Sequence, residues 1–364
     1  MLPAAYTEEL RQVGLASGLD AVGVAPGSAM LRARRAIEQR VANDLHAGMA
    51  FTFRNPLRST SPAAAVRGAK AIVVGARSYA ADLPAAPAGP VGRVARYAWV
   101  EHYAPMRAAL WVVARRLRAD GWKAVPFADD NSLVDREAAY LAGLGWFGKN
   151  ANVLLPGMGS YVVLGGVITD APLAVVERPV SDGCGACRRC IDACPTGAIV
   201  APGVVDGNRC LAWLAQRPGI FPPEHREALG DRIYGCDDCQ ESCPPTVRFS
   251  RSRPLEGAVA WVSLIDLLAA EDDTILARHG RWYLADREPR WLRRNALVAL
   301  GNVGDPGDPA VAVALQAYLG GPDPVLRAHA AWAAARLGRH DLLSVLEGDN
   351  SIEVADELAW WTRS

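Results

Sequence analysis

Apolar positions recur at helical spacing over residues 6–17, 29–43, 104–119 and 135–144, a pattern that predicts four amphipathic helices. Between them lie short apolar runs that read as strands: AVGVA at 21–25, AIVVGARSY at 71–79, WKAVPFA at 122–128 and YVVLGGVIT at 161–169. An α/β domain is expected over 1–175. The Pro-, Gly- and Ala-rich stretches 83–92 and 155–160 interrupt it as loops.

Past residue 181 the periodicity fades into Cys-, Pro- and Gly-rich sequence. This is expected where a cofactor organises the chain, so 176–253 reads as a metal-binding domain. Helical spacing returns over 254–364. There LRRNALVALGNVG (292–304) overlays LRAHAAWAAARLG (326–338) at an offset of 34, like a pair of HEAT-type repeats. Two such repeats cannot bury their own faces, so they should dock on the rest of the protein and offer a surface to a partner. The competing reading is a helical cap with no partner.

Composition narrows the class. No apolar run approaches the length of a membrane span, and the amino end shows neither a secretory nor a twin-arginine pattern, so a cytoplasmic protein without membrane partners is expected. A monomer is the default. The 39 basic residues balance the 39 acidic ones, so a polyanion would have to be met by a local patch. One such stretch carries Arg278, Arg281, Arg287, Arg290, Arg293 and Arg294 against Asp286 and Glu288, with Trp282, Tyr283 and Trp291 among them. Arg290, Arg293 and Arg294 share a helical face. Basic residues interleaved with aromatics suit RNA phosphates and bases, the alternative being a solvated face.

All eight cysteines fall between Cys184 and Cys243. Cys184-x2-Cys187-x2-Cys190-x3-Cys194-Pro195 is the spacing of two-cluster ferredoxins, in which the fourth cysteine ligates the other cluster. Cys236-x2-Cys239-x3-Cys243-Pro244 repeats the end of that run, and Cys210 can supply the member it lacks. Cross-over ligation assigns Cys184, Cys187, Cys190 and Cys243 to one 4Fe-4S cluster, and Cys194, Cys210, Cys236 and Cys239 to the other. Zinc knuckles prefer paired CxxC units with a long spacer, and disulfides do not suit a reducing compartment. No GxGxxG after the first strand, no Walker loop and no nucleophile elbow accompanies the clusters.

RYAWVEHY (96–103), PFADDNSLVDREAAYLAGLGWFGKN (126–150), the cysteine runs with DRIYGCDDCQESCP (231–244) and the helical repeats, in that order, resemble the epoxyqueuosine reductase family. The resemblance implies base-off cobalamin and two 4Fe-4S clusters. It also implies reduction of epoxyqueuosine to queuosine at the wobble position of tRNA, with cob(I)alamin fed from an external low-potential electron donor through the clusters. It places the general acid at Asp129 and corrinoid contacts at Arg96, Tyr97, Asp129, Gly148, Lys149 and Asn150. Trp146 and Phe147 are either further contacts or core. A carboxyl in a poorly hydrated pocket beside a second aspartate would stay protonated for that role. The competing reading makes Asp129 or Asp130 a turn or helix cap before residue 135. The implied tRNA partner, through its anticodon stem-loop, would meet Arg290, Arg293 and Arg294.

The chain departs from the family pattern at Ser132, at His102-Tyr103-Ala104, at Cys210-Leu-Ala-Trp213 and at Pro245-Thr246. These changes spare the ligands and fall on the substrate side. Two other functions fit the clusters: a small-molecule reductase of the reductive dehalogenase kind, and a bare electron-transfer module.

Overall fold

The computed structural model describes residues 4–175, 180–249 and 255–361. By internal contacts the chain forms two interleaved units. The first takes Met1–Asp82, Val100–Asn208 and Asp238–Leu255; the second takes Leu83–Trp99, Arg209–Asp237 and Glu256–Ser364. Composition suggested breaks after 175 and 253 instead. Residues 176–179 and 250–254, where those breaks fall, lie outside the described residues.

The first unit is built on a four-stranded antiparallel sheet. Its strands run side by side in the order Ala21–Pro26, Ala71–Ser78, Val162–Thr169 and Ala124–Phe127. The two central strands, AIVVGARS and VVLGGVIT, are buried nearly throughout, which is why they read as continuous apolar runs and not as alternating ones. On one face, Ile72, Val74 and Ala76 pack with Ala138 and Ala139 of the helix Asp135–Leu141. On the other lies the helix Tyr103–Ala119, whose Leu110 would be 2.9 Å from a Cβ at Gly165. Glycine there lets the helix approach the strand.

The second unit pairs Val91–Val94 with Arg232–Tyr234 in parallel and with Trp261–Ser263 in antiparallel fashion. The 83–92 loop therefore ends in a strand, at Val91. Six α-helices follow among the described residues: Leu264–Ala269, Asp272–His279, Arg290–Val303, Pro309–Leu319, Pro324–Arg336 and Ile352–Trp361. The two overlaid sequence segments fall on Arg290–Val303 and Pro324–Arg336, which pack together. A Cβ at Gly301 would sit 2.7 Å from Trp332 and 2.8 Å from the Ala333 backbone, so small residues set this close crossing. Aspartate caps start two of the helices. Asp308 accepts from the Ala310 N–H, and Asp323 accepts from the N–H groups of Val325 and Leu326, each ahead of a proline. Among the described residues no helix is long and apolar enough to cross a membrane.

Candidate functional site

Asp129 follows the strand Ala124–Phe127 and holds a left-handed backbone, φ 55°. Such a turn costs a non-glycine residue on the order of 1 kcal/mol and tends to persist where function needs it. Asp129 is exposed, yet its carboxyl is raised from its ordinary value, first by partial desolvation and then by Asp135, Glu101 and Asp130, with Arg107 opposing. Asp129 is not a cap: the helix Asp135–Leu141 starts at Val134 with no side-chain cap, and it is Asp130 that turns the loop, accepting the Ser132 N–H at 2.7 Å.

Sequence reasoning missed the groups around Asp129. The Tyr103 phenol is pushed up by burial and by the nearby carboxylates of Asp129 and Asp135, so it stays protonated beside them. Burial likewise raises Asp135, opposed chiefly by Arg136. Glu101 accepts the N–H groups of Tyr103 and Ala104 at 2.7 and 2.9 Å, fixing the start of the Tyr103–Ala119 helix. No local signal marks this set, because its members come from separate elements.

Cys184, Cys187, Cys190 and Cys243 line one cavity of about 250 Å³, together with Gly148, Lys149 and Asn150. Among the described residues no group of three or more His, Cys, Asp or Glu is arranged for a single metal ion; the quartet borders a space instead of closing on a point. Burial raises the Cys190 thiol, and Cys243, Cys184 and Cys187 raise it further. Thiols that oppose one another's ionisation call for a compensating cationic group, which suits a thiolate-held iron cluster. At Cys243 burial raises the thiol while hydrogen bonds from Thr246 oppose it. All eight cysteines are outside disulfides.

The Gly148–Asn150 turn is held to the cysteine loops. Lys149 Nζ donates to the Gly185 carbonyl at 2.7 Å, and Asn150 Nδ2 donates to the Cys239 carbonyl at 3.1 Å. Glycine at 148 answers to the chain itself, since a Cβ there would lie 2.3 Å from Leu154 and 2.8 Å from Asn150. Phe147 packs on the sheet core with Tyr140, and the Arg32 guanidinium lies 4.6 Å above its ring. Trp146 is different. Its ring abuts Gly183, next to Cys184, and its indole N–H is buried with no acceptor among the described residues. A donor left open in that place fits a bound cofactor. A buried chain of hydrogen bonds braces the cavity: Gln240 Nε2 donates to the Ser160 carbonyl and to Tyr79, and the hydroxyls of Ser160 and Thr246 are 2.9 Å apart.

The remaining site candidates lie in the second unit, except Cys194 and Cys239, which belong to the first. Cys194 Sγ accepts the Ala198 N–H at 3.2 Å. Cys210 is the N-cap of the helix Leu211–Leu214. Arg96 is buried and paired with Asp237, which accepts both its backbone N–H (2.8 Å) and its guanidinium (3.3 Å). The Tyr97 hydroxyl accepts from Gln216 at 3.0 Å.

The arginine patch needs correction. Arg294 is fully buried, and its guanidinium donates to the carbonyls of Leu214, Ala215, Arg217 and Gly219 and to the Asn295 side chain. Burial pushes it down to about 9. It cannot meet a phosphate. Arg293 is held by Asp272 and the Ala270 carbonyl, and Arg290 by Asp323 and Glu288. Trp282 and Trp291 are also buried, their indole N–H groups given to the carbonyls of Ala98 and Ala285.

A family model of the 4Fe-4S double cluster binding domain matches residues 183–246, a span that includes all eight cysteines. An epoxyqueuosine reductase of Bacillus anthracis is 32% identical over 335 residues, covering 88% of this chain and 86% of that one. A crystal structure of an epoxyqueuosine reductase with a tRNA-Tyr epoxyqueuosine-modified stem loop superposes with a TM-score of 0.89 at 29% identity, over 98% of this chain and 97% of that one. The Bacillus subtilis epoxyqueuosine reductase, solved with its aspartate catalytic loop swung out of the active site, gives 0.88 at 28% identity over the same shares. With its cysteine cavity, its strained aspartate loop and a likeness that runs nearly end to end, the chain belongs to the epoxyqueuosine reductase family.

Proposed function

We propose that the chain reduces epoxyqueuosine to queuosine at the wobble position of tRNA, with Asp129 as proton donor. The observation that carries the reading is the pairing, within one unit, of a four-cysteine cavity and an aspartate in a left-handed turn whose carboxyl is raised from its ordinary value. The net reaction takes up two electrons and two protons, turns the epoxide into an alkene and releases water. As the epoxide oxygen gains negative charge, the Asp129 carboxyl gives up its proton to it. Partial burial raises the Asp129 carboxyl, and Asp135 and Glu101 raise it further, which favours the proton-bearing form such a donor needs.

The eight cysteines hold two 4Fe-4S clusters in the cross-over pattern, and electrons reach them from an external low-potential donor. Cobalamin, when bound, supplies the strongly reducing cobalt centre that breaking carbon–oxygen bonds requires. Gly148, Lys149 and Asn150 border the cysteine cavity and would hold it there, with Arg96 and Tyr97 as further contacts. In this reading 1–175 is the α/β cobalamin-binding part, 176–253 the ferredoxin-like part and 254–364 a HEAT-like repeat part, and the protein works as a cytoplasmic monomer.

The test is anaerobic turnover of an anticodon stem loop bearing epoxyqueuosine, using the reconstituted protein and a chemical reductant. Loss of one oxygen atom from the modified nucleoside by mass spectrometry is expected. Failure with the stem loop alongside reduction of a free small molecule would overturn the tRNA substrate.

A further inference from the structure

Gln240 and Thr246 lie three residues before and after Cys243, and with Ser160 they form a polar set in the interior of the first unit. The three are only 7%, 0% and 4% exposed, so each of their protons needs an acceptor inside the protein. Gln240 Nε2 lies 3.0 Å from the Ser160 carbonyl, which can only accept, and this fixes that atom as the amide nitrogen. The same nitrogen lies 3.1 Å from Ser160 Oγ and donates there as well. Thr246 Oγ1, 2.9 Å away, is then the one acceptor among the described residues for the proton of the Ser160 hydroxyl. The Ser160 N–H gives to the same oxygen at 3.2 Å. Thr246 Oγ1 thus accepts twice, and its own proton goes to a third group.

That group is Cys243. Its sulfur takes hydrogen bonds from the Thr246 N–H and from the Thr246 hydroxyl. The arrangement is held from two sides. The Val247 N–H returns to the Cys243 carbonyl at 2.9 Å within the helical turn Pro244–Phe249. From the other side the 155–160 loop closes on Thr246, for a Cβ at Gly159 would lie 2.5 Å from Thr246 Cα. Protons are therefore passed one way, from Gln240 to Ser160 to Thr246 to the cysteine sulfur, each bond polarising the next.

A 4Fe-4S cluster gains one negative charge on reduction, and hydrogen bonds to its sulfurs are among the factors that set its potential. A donor aimed at a ligand sulfur stabilises the more negative, reduced state more than the oxidised one. We infer that the Thr246 hydroxyl, held in direction by Ser160 and Gln240, raises the reduction potential of the cluster bound by Cys184, Cys187, Cys190 and Cys243. This rests on the placement of Cys243 in that cluster. It makes Thr246 a positioning residue that acts through Cys243, at one of the places where the chain departs from the family pattern.

The experiment is a redox titration, followed by electron paramagnetic resonance, of the anaerobically purified, cluster-loaded wild type, Thr246→Val and Thr246→Ser. Valine keeps the shape of threonine without its hydroxyl, and serine keeps the hydroxyl. In Thr246→Val one of the two cluster signals should move to lower potential, with the reduced-to-oxidised ratio at fixed potential falling about tenfold, or about 59 mV for one electron. The other signal should stay in place, Thr246→Ser should titrate like the wild type, and iron and sulfide content should not change. Unchanged potentials in Thr246→Val would overturn the inference. An equal shift in Thr246→Ser, or in both clusters, would overturn it too, as the mark of altered packing. Should the valine variant lose its clusters, Ser160→Ala takes its place: it releases the Thr246 hydroxyl without removing it, so a smaller shift of the same sign is expected and an unchanged potential overturns the inference. A wild type that carries zinc in place of iron would sink the cluster reading itself, and the inference with it.

Discussion

Asp129 combines two properties uncommon in an exposed aspartate: a left-handed backbone and a carboxyl raised from its ordinary value. Asparagine adopts that turn more readily than alanine, so the two substitutions separate chemistry from strain. Asp129→Asn should retain both clusters and lose on the order of 100- to 10,000-fold in turnover, with Asp129→Ala giving a similar rate loss and a small added loss in stability. A raised pKa means that the donor is protonated below it and lost above it. Turnover limited by this proton should therefore fall as pH rises through the raised value, a limb absent from the asparagine variant's profile. The stability tied to the protonated carboxyl follows the same sign, present at low pH and lost as pH rises. Wild-type rates in both variants, measured by product formation alongside iron content, would move the role to Asp135 or Tyr103.

On the scale of single elements, the helix Arg290–Val303 is where pattern and structure part. Spacing correctly puts its arginines on a helix, yet periodicity names a face without saying which way it points. Arg294 points inward because its acceptors, the carbonyls of residues 214–219, come from the end of the short helix that Cys210 begins. That sequence distance leaves no local trace. The same reason hid Tyr103 beside Asp129. The central strands were legible because burial on both faces writes itself as an apolar run, and the cysteines because ligand spacing is itself the chemistry. Arg294→Ala should leave those carbonyls unpaired, lower unfolding free energy by about 3 kcal/mol in denaturant titration, and lower iron content by loosening Cys210. Arg290→Ala, whose partners are at the surface, should cost under about 1 kcal/mol. Equal midpoints for the two variants would contradict the buried role of Arg294.

For the molecule as a whole, eight cysteines without a disulfide give about eight irons and eight sulfides per chain after anaerobic purification. Cys210→Ala should remove one cluster's spectral contribution and leave the other, and stoichiometric zinc would sink the assignment. The interleaving of the two units adds a consequence in time. The chain leaves the first unit at Asp82 and again at Asn208, and returns to it finally at Asp238, bringing Cys243. A ribosome that has released residue 208 has therefore delivered three of the first quartet's thiols but not the fourth. Domain-by-domain folding during synthesis, the usual protection of long chains, is closed to this one. Until Cys243 has emerged, the nascent chain carries an incomplete, oxidisable cysteine loop.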